Sequence, residues 1–344
     1  MSAPLSPPLS VAPGVDLFVG DCLDVLPTMV AGSVQCCVTS PPYYGLRDYG
    51  TAAQIGHEPT PEAYVASLVR VFREVRRVLA DDGTLWLNLG DSYAQQGGCG
   101  RQGRTSQRAG RANVEAQERD GSRRPPAGLK PKDLIGIPWM VAFALRSDGW
   151  WLRSDIVWSK PNPTPESVTD RPTRAHEFLF LLSKSERYFY DTEGGREPSV
   201  TSSSGNRARR FRREAGGVAL DLNRSNQGFG VPWSGSSRNR RDVWTVTAQR
   251  YKGAHFATMP EALAEPCILA GCPLGGRVLD PFAGSGTVGA VARRLGREAS
   301  LVEASTAYVP LIVERVNTPP KVRRPKRVHA VVETQLELAL GGAR

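Results

Sequence analysis

Residues 280–287 (DPFAGSGT) have the composition of a ligand-binding loop. They follow a predicted strand at 277–279 and precede a predicted helix at 287–295, which is the context that makes a glycine loop meaningful. Glycines remove side chains that would keep a ligand from the backbone, and the start of a helix presents free N–H groups. The segment therefore predicts a nucleoside-binding loop, with a tight strand-to-helix turn that binds nothing as the alternative.

An acidic residue after the next predicted strand strengthens this prediction. Glu303 ends the strand 299–303 and lies 19 residues beyond Gly284. A carboxylate about 20 residues after such glycines binds ribose hydroxyls in nucleoside-binding α/β folds. We interpret Gly284 and Gly286 as the functional pair and Gly289 as displaced from the third glycine position of a dinucleotide motif. That interpretation favours a smaller adenosyl cofactor over NAD or FAD.

A second candidate site is the segment 38–43 (VTSPPY), at the end of a predicted strand. Two consecutive prolines cannot continue a strand, so a rigid loop should form where α/β folds bind ligands. The Ser40 hydroxyl and the Pro41 carbonyl could accept hydrogen bonds from an exocyclic amino group, and the Tyr43 ring could stack on the base. The alternative is a turn that the prolines merely stiffen.

Strands that alternate with helices must position these two segments, and they predict a mostly parallel α/β sheet. One helix should begin at Thr60, a good N-cap residue, with Pro61 at its first position, and should end at Asp82-Gly83. Besides those named above, the predicted strands are 16–19, 33–38, 84–89, 154–158 and 177–182, and a further helix is predicted at 135–145.

The charge is unevenly distributed along the 344 residues. The chain has a net charge of +10, but residues 97–130, 196–252 and 321–327 carry +5, +8 and +5, which leaves −8 for the remainder. An acidic body with basic segments is typical of proteins that bind a polyanion, whereas solvated arginine-rich loops are the alternative.

Composition excludes several other classes of protein. With 40% hydrophobic residues the chain can form a large core, and no uncharged apolar run reaches the roughly 18 residues of a membrane span. Residues 1–20 do not resemble a signal peptide, so we expect a cytoplasmic protein that contacts no membrane. The six cysteines show no CxxC spacing, and we expect Cys36 and Cys37 to be buried thiols and no metal to be bound.

Together, SPPY at 40–43 and DPFAGSGT at 280–287 resemble the S-adenosylmethionine-dependent amino-methyltransferases of DNA. The proline motif precedes the cofactor loop by 240 residues, an order similar to the beta class, which is a circular permutation of the usual fold. The resemblance extends over most of residues 16–315. It implies a mixed, mostly parallel, seven-stranded Rossmann-like sheet with a smaller target-recognition region, in a bacterium or phage.

The resemblance also implies roles for individual residues. Serine at position 40 is similar to the cytosine-N4 enzymes, since adenine-N6 enzymes usually have aspartate or asparagine there. The implied catalytic residues are Ser40, Pro41, Pro42 and Tyr43. The implied S-adenosylmethionine-binding residues are Asp21, Asp280, Phe282, Ala283, Gly284, Ser285, Gly286, Thr287 and Glu303. Residues 158–162 and 176–177, as well as 255–260, also resemble segments of such enzymes.

The expected organisation places catalytic segments at 1–94 and 131–184, a basic loop at 95–130, target recognition at 185–250, the cofactor half at 251–318 and a basic tail at 319–344. The candidate DNA-binding residues are Arg207, Arg209, Arg210, Arg212, Arg213, Arg238, Arg240 and Arg241. Most such arginines contact phosphates and a few read guanine edges. Duplex DNA is the expected partner of a monomer or homodimer, a companion restriction endonuclease is a further candidate, and residues 335–340 resemble a sliding-clamp-binding peptide or form an incidental apolar tail.

Three alternative functions remain open from the sequence. The first is an adenine-N6 enzyme of the same class, and the second is methylation of RNA or of a protein amide. The third is a DNA-binding module without catalytic activity. The sequence does not determine which DNA site is recognised.

Overall fold

The computed structural model describes residues 7–45, 54–94, 128–198, 237–248 and 258–319. The helices in these ranges are α1 (Cys22–Val25), α2 (Pro61–Val78), α3 (Ile137–Ser147), α4 (Glu261–Gly271), α5 (Thr287–Arg294) and α6 (Val309–Asn317). The strands are β1 (Leu9–Ala12), β2 (Val15–Val19), β3 (Val34–Thr39), β4 (Leu79–Leu89), β5 (Trp151–Ser159), β6 (His176–Ser183), β7 (Glu197–Pro198), β8 (Ser237–Arg238), β9 (Val243–Thr245), β10 (Arg277–Asp280) and β11 (Glu298–Glu303).

Nine of these strands form one sheet in the order β1-β2-β11-β10-β3-β4-β6-β5-β9. All neighbours from β2 to β4 are parallel, whereas β6 is antiparallel to both β4 and β5. The predicted mixed, mostly parallel α/β sheet is confirmed. The number of strands is nine rather than seven, because the short strands β1 and β9 add one strand to each margin.

Helix α2 begins where the sequence predicts, but it ends earlier. Its first turn is capped by the Thr60 hydroxyl, which accepts a hydrogen bond from the Ala63 N–H at 3.1 Å. The prediction that it ends at Asp82-Gly83 was wrong, because the fully buried Leu79 already pairs with β3. Asp82-Gly83 lies instead in an irregular part of β4, where the register with β3 shifts.

Alternate residues of the sheet contribute to two apolar cores. Cys37 packs with α2 and α3 on one face, and Cys36 packs with α4, α5 and α6 on the other. Both thiols are fully buried, which confirms their prediction as core residues. Within the described residues, no helix combines the length and the apolar character that crossing a membrane requires.

One edge of the sheet collects the candidate functional residues. The parallel strands β2, β11, β10, β3 and β4 all end there. Since β6 is antiparallel to β4, its first residues lie at the same edge, and so does the end of β5. The sheet therefore brings segments that are far apart in the chain into one place.

Candidate active site

The SPPY loop leaves the end of β3 and is anchored to α2. Pro41 is buried, while Ser40, Pro42 and Tyr43 are partly exposed. The hydroxyl of Tyr64, a buried residue of α2, donates a hydrogen bond to the Pro42 carbonyl oxygen at 2.8 Å. The prolines end the strand because they lack the N–H that a ladder needs. The loop is thus held in place at the sheet edge with its serine accessible.

A buried hydrogen bond joins the two motifs. Strands β3 and β10 are neighbours, and the Thr39 hydroxyl donates to Asp280 Oδ1 at 2.7 Å. The Phe282 N–H donates to the same oxygen at 3.1 Å. Burial raises the pKa of the Asp280 carboxyl to about 7, although these two hydrogen bonds oppose the increase. Ser40 therefore follows a residue that contacts the first residue of the DPFAGSGT loop.

The glycine loop and Glu303 form a cradle with open acceptor positions. Glu303 Oε2 accepts a hydrogen bond from the Gly284 N–H at 2.8 Å, and Oε1 accepts one from the Ser305 N–H at 2.9 Å. Each carboxylate oxygen can accept a further hydrogen bond. A Cβ added to Gly284, whose φ is +52°, would meet nothing closer than the Phe282 carbonyl oxygen at 3.9 Å. Burial raises the pKa of Glu303. These residues fit a nucleoside with ribose hydroxyls.

The other two glycines of the motif serve packing. Gly286 has a φ of +76°, and an added Cβ would lie 3.2 Å from the backbone of Ile312 in α6. Gly289 stands three residues after Gly286, at the third position of a G-x-G-x-x-G motif, so our interpretation that it is displaced was wrong. A Cβ there would come within 2.7 Å of Leu301 in β11. Glycine spacing therefore does not distinguish an adenosyl cofactor from a dinucleotide.

The remaining predicted cofactor residues surround the same loop. The Ala283 N–H donates to the Val302 carbonyl oxygen at 2.9 Å, and Thr287 is the first residue of α5. Ser285 accepts a hydrogen bond at 2.6 Å from Arg315, which is also buried. Asp21 caps α1 through the Leu23 N–H at 2.8 Å, and its neighbour Gly20 donates to the Glu303 carbonyl oxygen at 3.0 Å. The structure brings all of these residues to one sheet edge.

Tyr43 is enclosed by residues to which the sequence assigned no role. Its ring packs against Gly90, where an added Cβ would lie 2.6 Å from Tyr43 Cε2. Its hydroxyl lies 2.6 Å from Glu177 Oε2 and 3.2 Å from Asn88 Oδ1. An asparagine within an otherwise apolar strand is the signal that could have revealed Asn88, which is 1% exposed. Glu177 belongs to a segment with a noted resemblance but no assigned function.

Gly90→Ala tests whether the position of this ring matters. Gly90 does not have a left-handed φ, so alanine fits the backbone and the effect is steric. The added methyl group should displace the Tyr43 ring and lower kcat for methyl transfer about tenfold through lost orientation. Steady-state kinetics with a DNA substrate measures this change. An unchanged kcat would show that the ring tolerates displacement, and an unchanged cofactor affinity is the control.

The candidate DNA-binding arginines are described only in part. Arg238 and Arg241 both contact Glu197 Oε1, at 2.7 and 3.0 Å. The Arg240 guanidinium lies 5.1 Å from the centre of the Trp244 ring. These contacts use some of their hydrogen-bond donors, and contact with DNA stays a prediction. Arg207, Arg209, Arg210, Arg212 and Arg213 lie outside the described residues, as do 95–127, 255–257 and the tail from 320.

Comparison with known proteins identifies similar chains. The chain is 48% identical over 304 residues to the type II methyltransferase M.Cfr9I of Citrobacter freundii, covering 88% of each chain. It is 47% identical over 312 residues to the type II methyltransferase M.XycI of Xanthomonas campestris pv. cyanopsidis, covering 91% of each.

Solved structures share the fold. The PvuII DNA methyltransferase, described as cytosine-N4-specific, aligns with a TM-score of 0.59 at 17% identity, over 90% of this chain and 88% of that one. A DNA modification methylase of Thermus thermophilus, solved with S-adenosylmethionine, aligns with a TM-score of 0.54 at 25% identity, over 87% and 92%. The model of the N6_N4_Mtase family, described as DNA methylase, matches residues 34–314. This chain therefore belongs to the N6_N4_Mtase family of DNA methylases.

Proposed function

We propose that this protein transfers a methyl group from S-adenosylmethionine to the N4 amino group of a cytosine that is rotated out of duplex DNA. The observation that carries the proposal is the Thr39–Asp280 hydrogen bond of 2.7 Å. It places the SPPY loop beside the glycine loop, so that an acceptor and a donor of the methyl group can meet. The type II methyltransferases among its relatives support a role in DNA modification.

The glycine loop and its acidic neighbours fit the adenosyl part of the cofactor. Glu303 presents further acceptor positions for ribose hydroxyls, and the open space over Gly284 lets the ligand approach the backbone. Asp280 can offer a negative charge to a positively charged ligand. S-adenosylmethionine, when bound, supplies an electrophilic methyl group on a positively charged sulfur.

The SPPY loop suits the reacting base. The lone pair of the cytosine amino group is delocalised into the ring, which makes the nitrogen a weak nucleophile. Hydrogen bonds from its protons to Ser40 Oγ and to the Pro41 carbonyl oxygen would favour a pyramidal nitrogen. Stacking on Tyr43 would hold that nitrogen in line for methyl transfer. Since a serine hydroxyl has no pKa suited to a general base at neutral pH, we assign Ser40 to hydrogen bonding.

Two observations favour cytosine over adenine. Serine occupies position 40, where adenine-N6 enzymes usually have an acidic residue or its amide. The PvuII enzyme that shares this fold is described as cytosine-N4-specific. The proposed recognition region is 185–250, whose described parts are joined by pairing of β7 with β8 and by the contacts of Glu197 with Arg238 and Arg241.

Analysis of the methylated base tests the proposal. Purified protein is incubated with duplex DNA and S-adenosylmethionine, and the DNA is digested to nucleosides for mass spectrometry. N4-methylcytosine is the expected product, and single-molecule sequencing of the same DNA would give the site. N6-methyladenine alone would refute the choice of base. Methylation of RNA but not duplex DNA, or failure to bind S-adenosylmethionine in calorimetry, would refute the proposal as a whole.

A further inference from the structure

The hydroxyl of Tyr43 lies at the centre of a polar network built from three parts of the sheet edge. The Ser40 hydroxyl donates to Tyr43 Oη at 3.4 Å, and Tyr43 Oη in turn donates to Glu177 Oε2 at 2.6 Å. Asn88 Nδ2 donates to the same Glu177 oxygen at 3.2 Å and to the Phe178 carbonyl oxygen at 3.1 Å. The SPPY loop, β4 and β6 thus converge on one phenol group.

Glu177 is itself held by an ion pair. Lys160, which follows β5, contacts Glu177 Oε1, and only 19% of the lysine side chain and 14% of the glutamate side chain are exposed. The Lys160 ammonium also lies 4.3 Å from the centre of the Trp158 ring. A partly buried carboxylate needs a partner of this kind, because isolated burial of its charge is costly. The pair gives Tyr43 a fixed, charged acceptor.

This arrangement determines where the Tyr43 ring can lie. Hydrogen bonds to an ionised acceptor are shorter and about twice as strong as neutral ones. The Glu177 contact fixes the tip of the side chain, while Gly90 leaves room for the ring and the SPPY backbone fixes its base. Within the network, Glu177 is the residue that can hold the ring without touching the reacting base.

We propose that the ion-paired Glu177 is a positioning residue for methyl transfer, which acts through the Tyr43 hydroxyl to hold the aromatic ring against the rotated base. The inference rests on the proposed function, since it assigns the ring a target base. It concerns orientation only. The group that accepts the amino proton is a separate matter, and no proton moves to Glu177 in this proposal.

A double-mutant cycle tests whether Glu177 acts through Tyr43. Tyr43→Phe removes only the hydroxyl, and Glu177→Gln removes the charge but keeps an oxygen acceptor. Each should lower kcat about tenfold with little change in KM for DNA. The double variant should be no slower than the slower single variant, because both changes break one contact. Glu298→Gln is the matched control, since Glu298 pairs with Arg277 at the start of β11, away from the site.

A fluorescent cytosine analogue at the methylated position supplies a spectroscopic measurement. In the wild-type complex the rotated analogue should be quenched by stacking on Tyr43. In both single variants this quenching should weaken while DNA affinity stays the same. If Glu177→Gln does not fold, Tyr43→Phe alone carries the test, because the loss of one hydroxyl must then reproduce both effects.

Three results would overturn the inference. They are an unchanged kcat in Tyr43→Phe or Glu177→Gln, additive losses in the double variant, and a shifted pH–rate profile in Glu177→Gln, which would assign Glu177 to proton acceptance instead. All three presuppose an active wild-type enzyme. Wild-type protein that methylates no DNA would refute the proposed function, which is a different outcome.

Discussion

Ser40→Ala is expected to lower kcat for DNA methylation by about 10²–10³-fold, the loss seen when a preorganised hydrogen-bonding group is removed from a catalytic site. The hydroxyl is accessible at the end of β3, and its contact with Tyr43 is long, at 3.4 Å. Its removal should therefore leave the loop in place. Affinities for S-adenosylmethionine and for DNA should not change, because Ser40 acts on the amino group in the transition state.

Single-turnover kinetics with radiolabelled cofactor measures this loss separately from product release. Ser185→Ala is the matched control, since the Ser185 hydroxyl donates to the Asp81 carbonyl oxygen at an exposed position outside the site. Ser40→Thr keeps the hydroxyl and should recover part of the rate. A rate near that of the wild type in Ser40→Ala would remove Ser40 from the catalytic group and with it the basis for choosing cytosine.

Local chemistry explains which elements could be predicted. The start of α2 depends on Thr60 and on the proline that follows it, and both signals lie within one helical turn. The strands that flank the glycine loop were predicted to within one residue, since apolar runs next to turn residues identify them. Such signals need no knowledge of distant parts of the chain.

Elements that depend on tertiary contacts were not predicted. Helix α4 contains Pro266, which argues against a helix in the sequence, yet it is buried against the sheet together with Leu263 and Ile268. Burial of this apolar segment outweighs its poor local preference. Leu79 begins β4 for a similar reason, because its pairing with β3 outweighs the turn preference of Asp82-Gly83.

The candidate site shows the same division. The two motifs could be identified from their own residues, and an α/β sheet predicts that they meet at one edge. The surroundings of Tyr43 could not be predicted. Asn88 and Glu177 are 45 and 134 residues away from it in the chain. They reach the phenol group only because β6 pairs antiparallel with β4, with Leu89 opposite Phe178. No local pattern in the sequence signals that register.

Asp280→Asn is expected to separate stability from function. Burial raises the pKa of the folded Asp280 carboxyl to about 7 from its ordinary value of 3.8. The group therefore contributes most to stability below the unfolded pKa, and this contribution is lost as the pH rises through about 7. At pH 8 the wild-type protein must bury a charge, whereas asparagine keeps an oxygen that can accept from Thr39 and Phe282 without that cost.

The variant should thus unfold at a higher temperature than the wild type at pH 8, and the difference should disappear at pH 5, where both side chains are neutral. Its affinity for S-adenosylmethionine should fall about a hundredfold at pH 8, since hydrogen bonds to charged groups contribute about 1.5–3 kcal/mol. For the wild type, that affinity should increase as the pH rises through 7, while the variant should show no such increase. Calorimetry and thermal unfolding at pH 5, 7 and 8 measure both effects. A variant that is less stable at pH 8 but binds the cofactor normally would mean that the Asp280 carboxylate serves only to join β3 to β10. The opposite result would mean that the protein accepts a buried charge at the end of β10 because the cofactor needs it there.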